Sequence, residues 1–280
     1  MILKGKSILI TGAGRGIGRA IALECASQGG NIILLARTHS ELRSTAAEIS
    51  RFGGSSLIFV CDISSSSKVN KAVSSANKEF GEIDVLVNNA GIQPPIGPFS
   101  EADIREWKGN IEINLFGTAN VISAVLPDMI ARKKGKIINL SGGGSTSARP
   151  NFSAYAISKT AIVRFTEILA VELLESHIDV NAISPGAVNT NMLEEVLHAG
   201  ELAGKEAGEA KRRKESGGDD PKLAAELVCF LASDESDGIT GKLVSARWDP
   251  WRELSFREKL RLDKDFATLR RIDDKYYAKR

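Results

Sequence analysis

Seven short β-rich runs, each separated from the next by a helix-length segment, constrain this chain more than any other feature. The runs lie at 7–10, 31–35, 56–60, 85–87, 136–140, 179–183 and 242–244, and clear helical patterns cover 17–28, 41–52, 68–80 and 153–176. Strand–helix alternation of this kind predicts an α/β fold: a doubly wound, parallel, seven-stranded sheet with helices on both faces. The runs are nearly unbroken apolar stretches, such as Ile32-Ile33-Leu34-Leu35. That is the pattern of strands covered on both sides. With 280 residues and 42% hydrophobic content, the chain is long enough for one large core.

Six of the seven runs are followed by residues suited to chemistry. Thr11 to Gly18 (TGAGRGIG) follows the first run, Arg37 the second and Asp62 the third. Asn88 to Gly91 (NNAG) follows the fourth, Ser141 the fifth and Pro185 to Thr190 (PGAVNT) the sixth. In an open parallel sheet, strand ends of this kind face one crevice, where ligands bind. Their number predicts a single large site for an elongated cofactor.

Gly12, Gly16 and Gly18 lie between the first strand and the first helix, with Arg15 and Ile17 in the same turn. Glycines there let the backbone turn sharply and approach a pyrophosphate, whose charge faces the helix N-terminus. The spacing is G-x-x-x-G-x-G. The end of the second strand selects the nucleotide: an acid would hold a ribose 2′-hydroxyl, and an arginine would accommodate a 2′-phosphate. The chain reads Leu34-Leu35-Ala36-Arg37-Thr38, with Arg15 as a second cation. NADP is therefore the expected cofactor, with NAD the alternative. Asp62, with Ile63 after it, is placed either to accept from an adenine amino group or to cap the helix after Ser64.

At Tyr155-Ala156-Ile157-Ser158-Lys159 the pattern becomes specific. TGAGRGIG, NNAG, Asn114-Leu115-Phe116-Gly117, YAISK and PGAVNT occur in the order and approximate spacing of the short-chain dehydrogenase/reductase family. About residues 5–246 resemble that family, in particular its 3-oxoacyl-carrier-protein reductase-like branch. The resemblance implies a Rossmann-type three-layer sandwich and hydride transfer between a nicotinamide cofactor and a carbonyl or secondary alcohol. It implies that Tyr155 exchanges a proton with the carbonyl oxygen, that Lys159 holds the nicotinamide ribose and tunes Tyr155, and that Asn114 supports a proton-relaying water. It further implies that Asn88, Ala90 and Gly91 line the cofactor, Asn88 also tying the central strands. Ile183, Pro185, Gly186, Val188 and Thr190 would flank the carboxamide. Independently, Tyr155 and Lys159 are one helical turn apart on one face. A nearby ammonium is expected to lower the phenol below its ordinary value of about 10.

One position departs from the family pattern. The catalytic serine usually stands thirteen residues before the tyrosine, and here that residue is Gly142. Ser141 is the first candidate for the role and Ser145 the second. Rival functions are a sugar or polyol dehydrogenase using NAD(H), an epimerase, or a catalytically silent nucleotide sensor.

The rest of the chain bounds partners. With 37 basic and 35 acidic residues the net charge is +2, which gives no sign of nucleic acid or an acidic membrane. No apolar run approaches a membrane span in this reading. Three cysteines show neither disulfide nor metal spacing, and Cys61 and Cys229 read as buried thiols. No metal is expected. The first strand begins at once, leaving no room for a signal peptide, so a cytoplasmic enzyme is expected. Residues 1–247 read as one domain with a substrate loop near 191–217. Glycines at 200, 204 and 208 suit that loop to be a lid, and Arg149 reads either as an anion contact or as a solvent-facing arginine. The Lys211–Lys214 basic run reads as a helix end or an anion clamp. Residues 248–280 form a charged, aromatic extension, expected to be helical over 253–271 and to pack on its own subunit or a neighbour. The substrate is a small carbonyl or alcohol. The resemblance implies a homodimer or homotetramer, and Ala161, Ile162, Phe165, Ile168 and Leu169 offer an apolar face compatible with it.

Overall fold

The structure is a computed structural model that describes residues 1–272. Its strands are β1 (Ser7–Thr11), β2 (Asn31–Ala36), β3 (Ser55–Val60), β4 (Val85–Asn88), β5 (Gly135–Leu140), β6 (Ile178–Ser184) and β7 (Leu243–Ser245). All pair in parallel, in the order β3-β2-β1-β4-β5-β6-β7. Strand order reverses between β1 and β4, and a crevice opens there beyond the carboxyl ends of the strands.

The apolar runs fold as strands because both faces of the sheet are covered. Ile8 and Ile10 of β1, with Ile32 and Leu34 of β2, enter one core cluster. Leu9, Ile33 and Leu35, their neighbours in sequence, enter the other. This is the two-residue alternation of a pleated strand. The first cluster is closed by α1 (Gly16–Ser27) and α9 (Pro221–Ala232), the second by α3 (Ser66–Phe80) and α5 (Gly117–Ala131). The remaining helices are α2 (His39–Arg51), α4 (Ile104–Ile111), α6 (Ser153–Glu172), α7 (Asn191–Ala199), α8 (Lys205–Ser216) and α10 (Leu254–Leu262). Each fully buried Leu or Ile in these layers contributes about 1.5–3 kcal/mol relative to exposure.

Helix α4 continues through a π-helical segment (Glu112–Phe116) into α5. The resulting 28-residue helix is, by length and composition, long and apolar enough to cross a membrane. Separate polar residues had hidden this from the sequence reading. Here Val121, Ile122, Val125 and Met129 pack into the core. Asn110, Asn114 and Asn120 bond to neighbouring segments of the fold.

Three expectations change. The segment 191–217 consists of α7, a 3-10 turn (Gly200–Ala203) and α8 rather than a loop, with its own small core around Phe152, Leu193, Val196, Ala203 and Ala210. The helix expected over 253–271 covers only Leu254–Leu262. Helix α6 ends at Glu172, before a 3-10 turn at Leu174–Ser176. The extension packs on the domain: Trp251 is buried and stacks on Phe230, with ring centroids 5.8 Å apart. Lys242 Nζ donates to the carbonyls of Asp263 (2.6 Å) and Phe266 (3.0 Å), and Leu269 N donates to Glu167 on α6 (2.6 Å). Tyr276 and Tyr277 lie outside the described residues. All three cysteines are buried and free, Cys25 Sγ lying 3.6 Å from Cys229 Sγ.

Candidate active site

A cleft of about 530 Å³ runs along the strand ends, lined in part by Gly12, Arg15, Gly16, Arg37, Asp62 and Gly91. Ile17, Gly18, Ile63, Ala90 and Thr190 also line it. The glycines are required by space. Gly12 and Gly16 have φ of +65° and +54°. A Cβ at Gly12 would lie 2.7 Å from Asn89 Nδ2, and one at Gly18 would lie 2.9 Å from the carbonyl carbon of Gly12 and collide with its oxygen. A Cβ at Gly16 would lie 3.2 Å from the Thr190 methyl, so the segment after β6 borders the cradle.

Thr11 and Asn89 hold this cradle, and the sequence reading had not singled out either. Thr11 Oγ1 accepts from the backbone N–H of Asn89 and of Ala90, both at 3.0 Å. Asn89 Nδ2 donates to Thr11 O at 2.9 Å and Gly12 O at 3.3 Å. Asn88 donates to Asn139 Oδ1 at 2.9 Å, which joins β4 to β5.

At the nucleotide end, Asp62 Oδ1 accepts from Ser64 N (3.0 Å) and Ser64 Oγ (2.8 Å). Burial pushes its carboxyl upward. The two Ser64 bonds and the charges of Arg37 and Lys68 outweigh that, so it lies below the usual range. Arg15 pairs with Glu41 at 3.3 Å. Glu41 is an acid on α2 that also lines the cleft and was not legible from the strand ends. Past the cradle, Gly186 (φ +91°) turns the chain beside Asp219, whose Oδ2 accepts from Ala187 N at 2.7 Å. Pro185 precedes this turn and Val188 is buried after it.

Tyr155 and Lys159 lie in the first turns of α6, 6% and 4% exposed. Tyr155 rests against Gly142 at the end of β5: a Cβ there would lie 3.0 Å from Tyr155 Cζ and closer still to the hydroxyl. Lys159 Nζ donates to Leu140 O at 2.9 Å and sits 5.7 Å from the Tyr155 ring centre. Burial pushes Lys159 down to about 8. The phenol is raised rather than lowered, against the sequence expectation. Burial is the main cause; Glu195 and Glu206 add to it, and Arg149 opposes it.

Asn114, in the π segment, bonds to the β4 loop, and its Oδ1 and the Lys159 ammonium both border Gly91, lying 3.1 and 3.5 Å from where a Cβ there would stand. Its Oδ1 accepts from Ile92 N at 2.8 Å, and its Nδ2 donates to Ile92 O (2.9 Å), Asn110 Oδ1 (2.9 Å) and Ser158 Oγ (3.0 Å). Ser158 Oγ donates to Tyr155 O at 2.7 Å. Asn114 is thus tied to the start of α6 through Ser158. The Ser141 hydroxyl is buried with no hydrogen-bond partner, and Ser145 is also buried.

Arg149 is half-buried and engaged within the fold rather than solvent-facing. It makes a two-pronged pair with Glu206 on α8 (2.6 and 2.5 Å) and lies 3.8 Å over Phe152. With its amide oriented to suit these neighbours, Gln93 accepts from Arg149 and donates to Met192 O at 3.0 Å. The basic run ends α8, where Lys214 pairs with Glu194 at 2.8 Å.

Comparison with known proteins agrees with this architecture. The short chain dehydrogenase family model matches residues 6–200. The chain is 41% identical over 243 residues to "Oxidoreductase UcpA" of Escherichia coli K12, covering 85% of this chain and 92% of that protein. It is 34% identical over 245 residues to "3-oxoacyl-[acyl-carrier-protein] reductase FabG" of Thermotoga maritima, covering 87% and 97%. Among solved structures it resembles an NAD+-bound xylitol dehydrogenase (TM-score 0.82, 31% identity, 88% and 98% covered). It also resembles a gluconate 5-dehydrogenase from Burkholderia cenocepacia J2315 in complex with NADP and tartrate (TM-score 0.78, 30% identity, 87% and 94% covered). The chain belongs to the short-chain dehydrogenase family and is an oxidoreductase acting on alcohol or carbonyl groups.

Proposed function

We propose that the protein is an NADP(H)-dependent reductase of a small carbonyl compound, reversible as a secondary-alcohol dehydrogenase. The observation that carries this reading is that Gly91, which lines the glycine-cradle cleft, also borders Lys159: a Cβ at Gly91 would lie 3.5 Å from Lys159 Nζ. The residues present fit a dinucleotide: glycine positions that admit no Cβ and a cation at the end of β2. Arg37 supports NADP over NAD, with Arg15 secondary because Glu41 engages it.

A bound nicotinamide would supply the hydride. Arg15, Arg37, Asp62 and the Gly12–Gly18 turn would hold its nucleotide end, and Asn88, Ala90, Gly91, Pro185, Gly186, Val188 and Thr190 would position the other. Tyr155 donates its phenolic proton to the substrate oxygen in reduction and recovers it in oxidation. A phenol raised by burial stays protonated at neutral pH, which suits it to be the acid of the reductive direction. Lys159 is proposed to hold ribose hydroxyls and steady the phenol. Ser141, whose hydroxyl is free to accept a partner, is proposed to bond the substrate oxygen, with Ser145 next to it in rank. Helices α7 and α8 are proposed to cover the substrate.

Ile157, Ile168 and Val171 form an exposed row on one face of α6. The row supports a homodimer or homotetramer, although Ile162 and Leu169 of the expected face are buried in the subunit's own core. The functional test is absorbance at 340 nm with NADPH or NADH and a panel of ketones, comparing wild type with Tyr155→Phe. Faster turnover with NADPH that Tyr155→Phe abolishes is expected. Nucleotide binding without turnover across the panel would favour a sensor instead.

A further inference from the structure

Arg149 brings a cation beside Tyr155 from outside α6, and it brings a counter-charge with it. Its guanidinium carbon lies 3.8 Å over the Phe152 ring and 5.4 Å from the Tyr155 ring centre. A cation within about 6 Å of a ring face is attracted to it. Nε and Nη2 of Arg149 grip the two carboxylate oxygens of Glu206 on α8, a fork geometry that lysine does not offer. The two side chains are only 15% and 30% exposed, so water screens the pair poorly. Gly143 and Gly144 flank the arginine: a Cβ at Gly143 would lie 3.6 Å from its Nη1, and one at Gly144 would lie 3.0 Å from its Cβ. Neither Arg149 nor Glu206 lines the glycine-cradle cleft, so nucleotide binding does not account for the pair.

The other charges that face the phenol are engaged elsewhere. Lys159, one turn along α6 and 5.7 Å from the ring centre, donates to Leu140 O. Glu195 of α7 is held by the Gln93 N–H and the charge of Arg15. Arg149 and Glu206 alone are partners of each other, and their effects on the phenol oppose: the cation favours phenolate and the carboxylate disfavours it.

On the reductase reading above, we propose that Arg149 and Glu206 act together as positioning residues for Tyr155. Arg149 steadies the ring of the general acid, and Glu206 cancels the charge that this contact introduces, so the hydroxyl keeps its proton for the substrate. Helix α8 thereby enters the chemistry without touching the reacting atoms. Without Glu206 the same guanidinium would stabilise phenolate and release the proton before a carbonyl arrives. Without Arg149 the Glu206 carboxylate would stand uncompensated and hold the proton too tightly for the oxidative direction.

The test reads the phenol directly. Near-ultraviolet phenolate absorbance is followed as pH is raised, for each protein minus its own Tyr155→Phe counterpart, which removes the signal of the other tyrosines. Glu206→Gln should ionise Tyr155 about one pH unit below wild type, a tenfold change and the scale of one partly screened neighbouring charge. Arg149→Gln should move the ionisation the other way. The double variant Arg149→Gln/Glu206→Gln, which carries neither charge, should return close to wild type. A contact that only holds the fold together would shift both single variants in the same direction and the double variant at least as far. Unchanged NADPH affinity in fluorescence titration checks that the variants are folded. In turnover, the alkaline limb of kcat/KM for ketone reduction should fall at lower pH in Glu206→Gln. A Glu206→Gln phenol that ionises no earlier than the wild-type one, or single variants that shift together, overturns the role of the pair whatever the turnover shows. A phenol that follows the expected pattern in a protein inert toward every carbonyl compound overturns the reductase reading and leaves the charge balance standing.

Discussion

Gly142 carries the sharpest prediction. Its φ lies outside the left-handed region, so alanine meets no backbone penalty there. The obstacle is Tyr155: an added Cβ lies 3.0 Å from Cζ and 3.2 Å from Cε1, and nearer to the hydroxyl oxygen. Ordinary carbon contacts are about 3.5–4.0 Å, so the ring must retreat by roughly 0.5–1 Å. The backbone cannot yield instead, because Ser141 N is bonded to Ile183 O (2.8 Å) and Gly142 O accepts from Ser145 N (3.2 Å). The start of α6 is held through Ser158 and Asn114. A displacement near 1 Å at a reacting group costs about 10²-fold in rate. Gly142→Ala should therefore lose about 10²-fold in kcat/KM for ketone reduction, with NADPH affinity within about threefold of wild type. Overpacking should lower stability by about 1–3 kcal/mol, read from denaturant unfolding. Gly142→Ser, which restores the family's usual serine, carries the same Cβ and should fail likewise. Either variant turning over at the wild-type rate would refute the placement of Tyr155 against this glycine.

Three further outcomes are expected. Arg37→Asp should reverse nucleotide preference, weakening NADPH binding and strengthening NADH binding in fluorescence titration; an unchanged preference would remove Arg37 from the 2′-phosphate site. Lys159 is depressed to about 8 against 10.5 when exposed. Below pH 8 both states hold its proton and the fold bears the cost. Between pH 8 and 10.5 the unfolded chain binds more protons, so wild-type stability relative to Lys159→Met should rise across that window in urea titrations. Trp251→Ala should cost about 3–5 kcal/mol of stability, since the ring is buried against Phe230, and calorimetry showing no loss would contradict the packing of the extension.

The sheet was legible because its strands are buried on both faces, which leaves unbroken apolar runs ending where polar residues begin. Boundaries read from those runs fall within one or two residues of the strands. Helices α7 and α8 were harder to see. Gly200 and Gly204 adopt positive φ between α7 and α8, and a third glycine lies inside α8, so the composition read as a loop. The extension's helix was read too long because its later carbonyls accept from Lys242 and Arg164 and its Leu269 N–H donates to Glu167, contacts that only tertiary structure supplies.

Within the site, the cradle glycines could be placed from spacing alone. The phenol could not: a one-turn spacing to lysine suggested a lowered value. Burial and two carboxylates from α7 and α8, some 40 to 50 positions further along the chain, set the opposite direction. Asn89, Asn110 and Ser158 escaped notice because their roles are bonds to backbone and to other side chains, which carry no periodic signal.

Isotope transfer from NADPH deuterated at nicotinamide C4 tests the central claim most directly, run in single turnover with wild type and Tyr155→Phe. The account predicts deuterium on the carbinol carbon of the wild-type product. It also predicts a transfer rate lower by at least about 10²-fold in Tyr155→Phe, the usual scale for loss of a general acid. Undiminished transfer without the phenol would contradict it.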